Sequence, residues 1–195
     1  MVARSLSPQR QFVAGVTMIE VLVTMVIIAF GLLGMAGLQV RLQMSEMESY
    51  QRSQALLLLN DMANRIATNR NNASAYVTTA ANPLGAGMAA CPTAVATVAQ
   101  RDLKEWCDAL QGAGETTGTG TGAIKVGTLL GGRGCVELVG SDYLVTVVWQ
   151  GNTPLAAPPA SVACGANNYD GAAGTPCAND LCRRPVTTLV RIATL

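Results

Sequence analysis

Apolar residues fill the chain from Val16 to Leu38 in the run VTMIEVLVTMVIIAFGLLGMAGL. As a helix, these 23 residues span about 34 Å, enough to cross a hydrocarbon core about 30 Å thick. Gln39, Arg41, Gln43, Glu46 and Glu48 then mark an exit into water. Beyond them Leu56, Leu59, Ala63 and Ile66 recur at three- and four-residue spacing, with Met62 beside them. That is the apolar stripe of a helix laid on a domain core. The asparagines at 64, 69, 71 and 72 predict a C-terminal stop. One helix is therefore expected from Val16 to about Asn69, about 80 Å long. Its first half is apolar all round and its second half is amphipathic.

The rest of the chain changes period. Asn82 to Gly87 carries turn chemistry and predicts a loop. Thr93 is a candidate cap for a short helix running to about Gln111. Val95, Val98, Ala99, Leu103, Trp106 and Leu110 form its apolar face, and Gly112 ends it. Gly112 to Gly122 is almost entirely Gly and Thr and predicts a surface loop. Cys135 to Val139 and Tyr143 to Gln150 read as a β-hairpin about a Gly140-Ser141-Asp142 turn. Tyr143, Val145, Val147 and Trp149 share one face of it. A weaker strand is expected at Ile124 to Leu130 and a final one at Val186 to Ala193. Between hairpin and final strand lies a long Ala-, Asn-, Gly- and Pro-rich loop, residues 151–184, a length that points to function or crosslinking. The expected fold class is α+β, a long N-terminal helix packed on a small antiparallel sheet.

Charge and cysteines set the compartment. Arg4 and Arg10 precede the apolar span with no acidic residue near them, so positive charge places the N-terminus in the cytoplasm. All six cysteines, Cys91, Cys107, Cys135, Cys164, Cys177 and Cys182, lie beyond the span. An even number confined to the distal part predicts disulfides in an oxidising compartment, among 15 possible pairings. The two signals agree on orientation. Cys177 and Cys182 approach metal-knuckle spacing, but histidine is absent and no second tight pair supports zinc. No cofactor, metal or catalytic residue is expected. There is no His for a triad, and the Gly118 to Gly122 loop lacks the Lys-Ser/Thr ending of a phosphate-binding loop. A formal charge of +1 gives no basic footprint for nucleic acid, and no nucleic-acid partner is expected. Arg183, Arg184 and Arg191 read as a solvated strand edge, and Trp106 and Trp149 as core. Gly31, Gly34 and Gly37 read as close-packing positions between membrane helices, or as a weakened stretch where the helix can bend in a filament.

Glu20 is the one charge inside the apolar run. A carboxylate there is costly, by roughly 2.5–3.5 kcal/mol at the bilayer centre and less near an end, so it asks for a partner. A secretory signal has a core of only 7–15 residues and its small-residue cleavage site after it, whereas here Gly15 precedes the run. The segment GVTMIEVLVTMVIIAFGLLGMAGLQ resembles the N-terminus of a type IV prepilin. That resemblance implies cleavage by a prepilin peptidase between Gly15 and Val16 and methylation of the new N-terminus at Val16. It also implies that Glu20, the fifth mature residue, pairs with the N-terminal amine of a neighbouring pilin. Val16 departs from the Phe or Met commonest at that position.

The distal segments DMANRIATNR, RDLKEWCDAL, YLVTVVWQG, Cys164-Gly165 and CRRPVTTLVRIATL resemble the PilV-type minor pilins, the type IV pilus modification proteins. Cys107 and Cys177 depart from that pattern and imply one additional disulfide. The resemblance implies a pilin-like, disulfide-bonded fold, with leader 1–15, membrane and polymerisation helix 16–38, amphipathic continuation 39–72 and a periplasmic or extracellular domain 73–195. It implies no enzyme activity, and a role in initiating or tipping a pilus, with effects on adhesion and twitching motility. The implied partners are other minor and major pilins, the prepilin peptidase, the inner-membrane assembly platform and the inner membrane itself, before assembly into a surface pilus. The alternatives are a type II secretion pseudopilin, which shares this N-terminus, or a filament-displayed module binding a surface or DNA.

Overall fold

A computed structural model describes residues 15–112, 114, 116–118, 124–125, 127, 129–172 and 174–192. The chain divides into two compact units, Met1–Gln43 and Met44–Leu195. The first helix, α1, is Met18–Thr68. Within the first unit it is exposed at every described position.

Within the second unit α1 lays Gln51, Ala55, Leu59, Met62 and Ile66 against the domain. These positions step by four, four, three and four, one face of a helix. The face is rotated from the expected stripe: Met62 is central to it, whereas Leu56 stands outside, 40% exposed. After Thr68 a 3-10 segment, Arg70–Tyr76, continues the turn with a kink at Asn72. The asparagine cluster thus ends the α-helix without ending helical winding.

The expected loop at 82–87 contains a two-residue strand, β1 (Leu84–Gly85). The second helix, α2, is Val98–Leu110. It starts later than expected because Thr97, not Thr93, caps it. The Thr97 hydroxyl accepts the Gln100 N–H at 3.2 Å, and the Gln100 side-chain carbonyl accepts the Thr97 N–H at 3.2 Å. This reciprocal pair satisfies two N-terminal donors. Val95 therefore lies before the helix, exposed. Gly112 ends α2 with φ +73°. The Gly–Thr stretch contributes β2 (Thr116–Thr117), which pairs with β3 (Ile124–Lys125). Residues 113, 115 and 119–123 of that expected loop lie outside the described residues. The weak strand expected at Ile124 to Leu130 shortens to β3 and stays out of the main sheet.

The main sheet is antiparallel, in the order β1-β4-β5-β6, with β4 Arg133–Val139, β5 Asp142–Gln150 and β6 Arg183–Val190. Val139 opposite Asp142 leaves Gly140-Ser141 as the hairpin turn, with Gly140 at φ +65°. One face carries Val136, Val145, Val147, Trp149 and Val190 into the core with Leu59, Met62, Ile66, Trp106 and Leu110. Trp106 is fully buried and donates its indole N–H to the Leu58 carbonyl at 2.9 Å. Its ring packs against Gly134, where an added Cβ would come within 2.2 Å of it. Only a glycine admits that approach, and pairing of Arg133 and Gly134 with β1 and β5 starts β4 before the expected Cys135.

The other face carries a second, smaller cluster of Cys135, Val148, Cys164 and Tyr169. Its cover is the long loop between β5 and β6. The bridges are Cys91–Cys107, Cys135–Cys164 and Cys177–Cys182. The first ties the segment before α2 to α2, the second ties the loop to β4, and the third closes the loop just before β6. β6 starts three residues earlier than expected, at Arg183, and ends at Val190.

Candidate assembly site

In the first unit the local geometry is that of a helix start. Thr17 precedes α1; its carbonyl accepts the Glu20 N–H at 3.1 Å and its hydroxyl approaches the same N–H at 3.4 Å. Thr17 and Glu20 stand in capping-box spacing, though only the threonine half of the reciprocal pair forms. Glu20 thus sits in the first turn, where the helix dipole favours a negative group. Its side chain is exposed, and among the described residues nothing donates to its carboxylate. Gly15 and Val16 precede the helix, both exposed. The apolar side chains that follow, from Met18 at 91% exposure to Leu38 at 62%, find no partner within their unit. An added Cβ at Gly31, Gly34 or Gly37 would meet nothing within 4 Å. The helix is long and apolar enough to cross a membrane.

In the second unit, buried and half-buried charges hold the domain together. Arg184, expected in solvent, is 8% exposed and donates Nε–H to Glu48 Oε1 at 2.8 Å. It also donates to the Leu181 carbonyl at 3.1 Å and to the Thr153 carbonyl. Glu48 Oε2 accepts the Asn152 N–H at 3.3 Å, so one carboxylate on α1 meets both ends of the long loop. Arg183, 3% exposed, donates to the Val162 and Cys164 carbonyls at 2.6 and 3.0 Å and pairs with Asp180 at 3.0 Å. The solvated-edge reading fails for both arginines. β6 is an edge strand, but the loop folds back over it and its carbonyls need donors. Arg191 does stand in solvent, 3.3 Å from Asp142.

Arg65 of α1 joins Asp61, Asp102 and Glu105 at 2.9, 2.8 and 2.7 Å. Burial opposes its charge, but hydrogen bonds to Glu105 and Asp102 outweigh this and hold it above the usual arginine range. Asp102 also accepts from the Tyr76 hydroxyl. Burial first, and this bond second, push that phenol up to about 12. The network bolts α2 to the end of α1. Sequence reasoning missed these pairings because Glu48 and Arg184 lie 136 positions apart, and Arg65 lies 40 and 37 positions from Glu105 and Asp102.

Two family models match the chain. Residues 10–36 match the prokaryotic N-terminal methylation motif, and residues 37–113 match the family described as type IV pilin Tt1218. Together the two matches run from residue 10 to residue 113, and both are to type IV pilin features. No curated protein and no solved structure matches it. The first match spans Gly15, Val16 and Glu20; the second spans the packed half of α1, β1, α2 and both cysteines of the Cys91–Cys107 bridge. The hairpin, the long loop and β6 lie beyond both matches. The motif and the exposed apolar helix fit a pilin held in the inner membrane and then in a filament. Pairing, packing and crosslinking are the roles this set of side chains supports.

Proposed function

We propose that this pilin is a PilV-type minor pilin, entering the initiation or tip complex of a type IV pilus and so affecting adhesion and twitching motility. The prepilin peptidase cleaves after Gly15 and methylates Val16, and residues 1–15 are lost as a leader. Residues 16–38 then enter the membrane and later the filament core, where Glu20 pairs with the N-terminal amine of a neighbouring minor or major pilin. The domain beyond the helix faces the periplasm and then the cell surface. The assembly platform of the inner membrane draws on this pool.

One observation carries the reading. Glu20, lacking any donor among the described residues, stands at the head of an exposed apolar helix inside the methylation-motif match. Such a carboxylate is tolerable in an apolar bundle only with a counter-charge, and the attraction between the two is strong at low dielectric. The test is Glu20→Ala expressed in its own cells. Cleavage continues, seen by N-terminal sequencing, while the protein disappears from sheared pili. Wild-type protein that keeps residues 1–15, or mutant protein that enters pili normally, rules the mechanism out. Loss of enzyme secretion on deletion, with pili intact, would indicate a secretion pseudopilin instead.

A further inference from the structure

A concavity of about 220 Å³ opens beside the main sheet, lined by Asn82, Pro83, Gly87, Met88, Arg133 and Asn168 among others. Arg133 is half-buried there, and among the described residues no carboxylate pairs with it. Its guanidinium carbon lies 4.8 Å from the centre of the Tyr169 ring. That ring is itself fixed, because the Tyr169 hydroxyl donates toward the Gly131 and Val148 carbonyls at 2.7 and 3.2 Å. Gly87 presses from the loop before α2: a Cβ there would sit 3.0 Å from Arg133 Nη2. Gly87 also has φ +88°, which disfavours any other residue. A planar cation lying over one ring and beside one glycine is held in place by its surroundings. Such pre-organisation lowers the entropic cost of binding through its remaining N–H groups.

We propose that this concavity binds the carboxylate of a single acidic sugar ring. Among the described residues its lining holds one cation, Arg133, and no acidic residue, which selects a single negative charge. A flat guanidinium matches a carboxylate by two parallel hydrogen bonds. Asn82 and Asn168 are exposed amides on the rim, able both to donate and to accept, as ring hydroxyls require. Pro83 and Met88 offer C–H surface to the apolar face of the ring. The volume is below the roughly 300 Å³ at which drug-sized sites begin, which suits one ring rather than an oligomer. The proposal rests on the distal domain alone and stands apart from the assembly reading.

Titration calorimetry on the full-length pilin in detergent micelles tests it, with glucuronate as the probe. Glucose, acetate, inorganic phosphate and a short single-stranded oligonucleotide are the comparison arms. Glucuronate should bind saturably, with glucose and acetate weaker by about tenfold or more. Arg133→Gln should lose about tenfold of the glucuronate affinity. Asn168→Ala, on the exposed rim, should lose roughly fivefold with an unchanged melting temperature. Absence of saturable glucuronate binding overturns the proposal. So do glucose binding as tight as glucuronate, tighter binding of phosphate or oligonucleotide, or an Asn168→Ala protein with full affinity.

Discussion

The two halves of α1 share one backbone conformation and meet opposite surroundings within the chain. From Met18 to Gln43 every side chain is exposed, and the most apolar run of the protein touches nothing in its own unit. From Met44 to Thr68 the helix is far more polar, yet Ala55, Met62 and Ile66 are wholly buried. Hydropathy therefore does not measure burial inside one chain. It measures the demand for an apolar environment, which the second half meets with its own sheet and the first half must find in lipid or in other pilins. A substitution in the first half should weaken assembly and leave the domain's stability alone, and one in the second should do the reverse.

The largest effect is expected at Trp106. Trp106→Ala removes a fully buried ring and its bond to Leu58, and should destabilise the domain by about 3–5 kcal/mol in chemical denaturation. Phe30→Ala, 71% exposed, should leave the same unfolding curve unmoved while lowering the amount of pilin in sheared filaments. A shifted curve for Phe30→Ala would break the comparison.

The bridges come next. Replacing both cysteines of a pair with serine should cost about 3–4 kcal/mol for Cys135–Cys164, about 3 for Cys91–Cys107 and about 2 for Cys177–Cys182. The loops they close span 29, 16 and 5 positions. The ranking in denaturant midpoint is the check, and a reversed order would show that native packing outweighs chain entropy here.

Arg184→Met leaves Glu48 without its cation. Because that carboxylate is 31% exposed, water offsets part of the loss, and about 1–2 kcal/mol of destabilisation is expected. Faster proteolysis between residues 151 and 182 than elsewhere would localise the effect to the loop.

The smallest effect is a matter of pH. Burial pushes the Tyr169 phenol up to about 12, against a pull downward from Arg133. A phenol whose pKa is raised on folding binds its proton more tightly in the native state. Its stabilising contribution is complete below about pH 10 and is lost as pH climbs toward about 12. Tyr169→Phe should cost about 1 kcal/mol at neutral pH for the lost hydroxyl bonds. It should also flatten the fall in melting temperature over that alkaline window. An unchanged slope would mean that Tyr169 does not titrate with unfolding.

Local and nearest-neighbour physics made much of this protein legible from its residues. A long apolar run with a single charge reads as a helix in a dry environment, and the β-branched and aromatic run from Tyr143 to Trp149 reads as a strand. The lone Glu20 in that run was visible for the same reason, because a charge is conspicuous where nothing solvates it. The tertiary structure alone decided which way the second half of α1 is rotated, since a stripe of five leucine, methionine, alanine and isoleucine positions admits more than one face. It decided the partners among six cysteines and turned two arginines inward onto a loop that composition describes only as polar. It also brought Arg133, Tyr169 and Gly87 to one concavity. Those outcomes depend on contacts between residues tens of positions apart, and chain closure at that range leaves no periodicity to read.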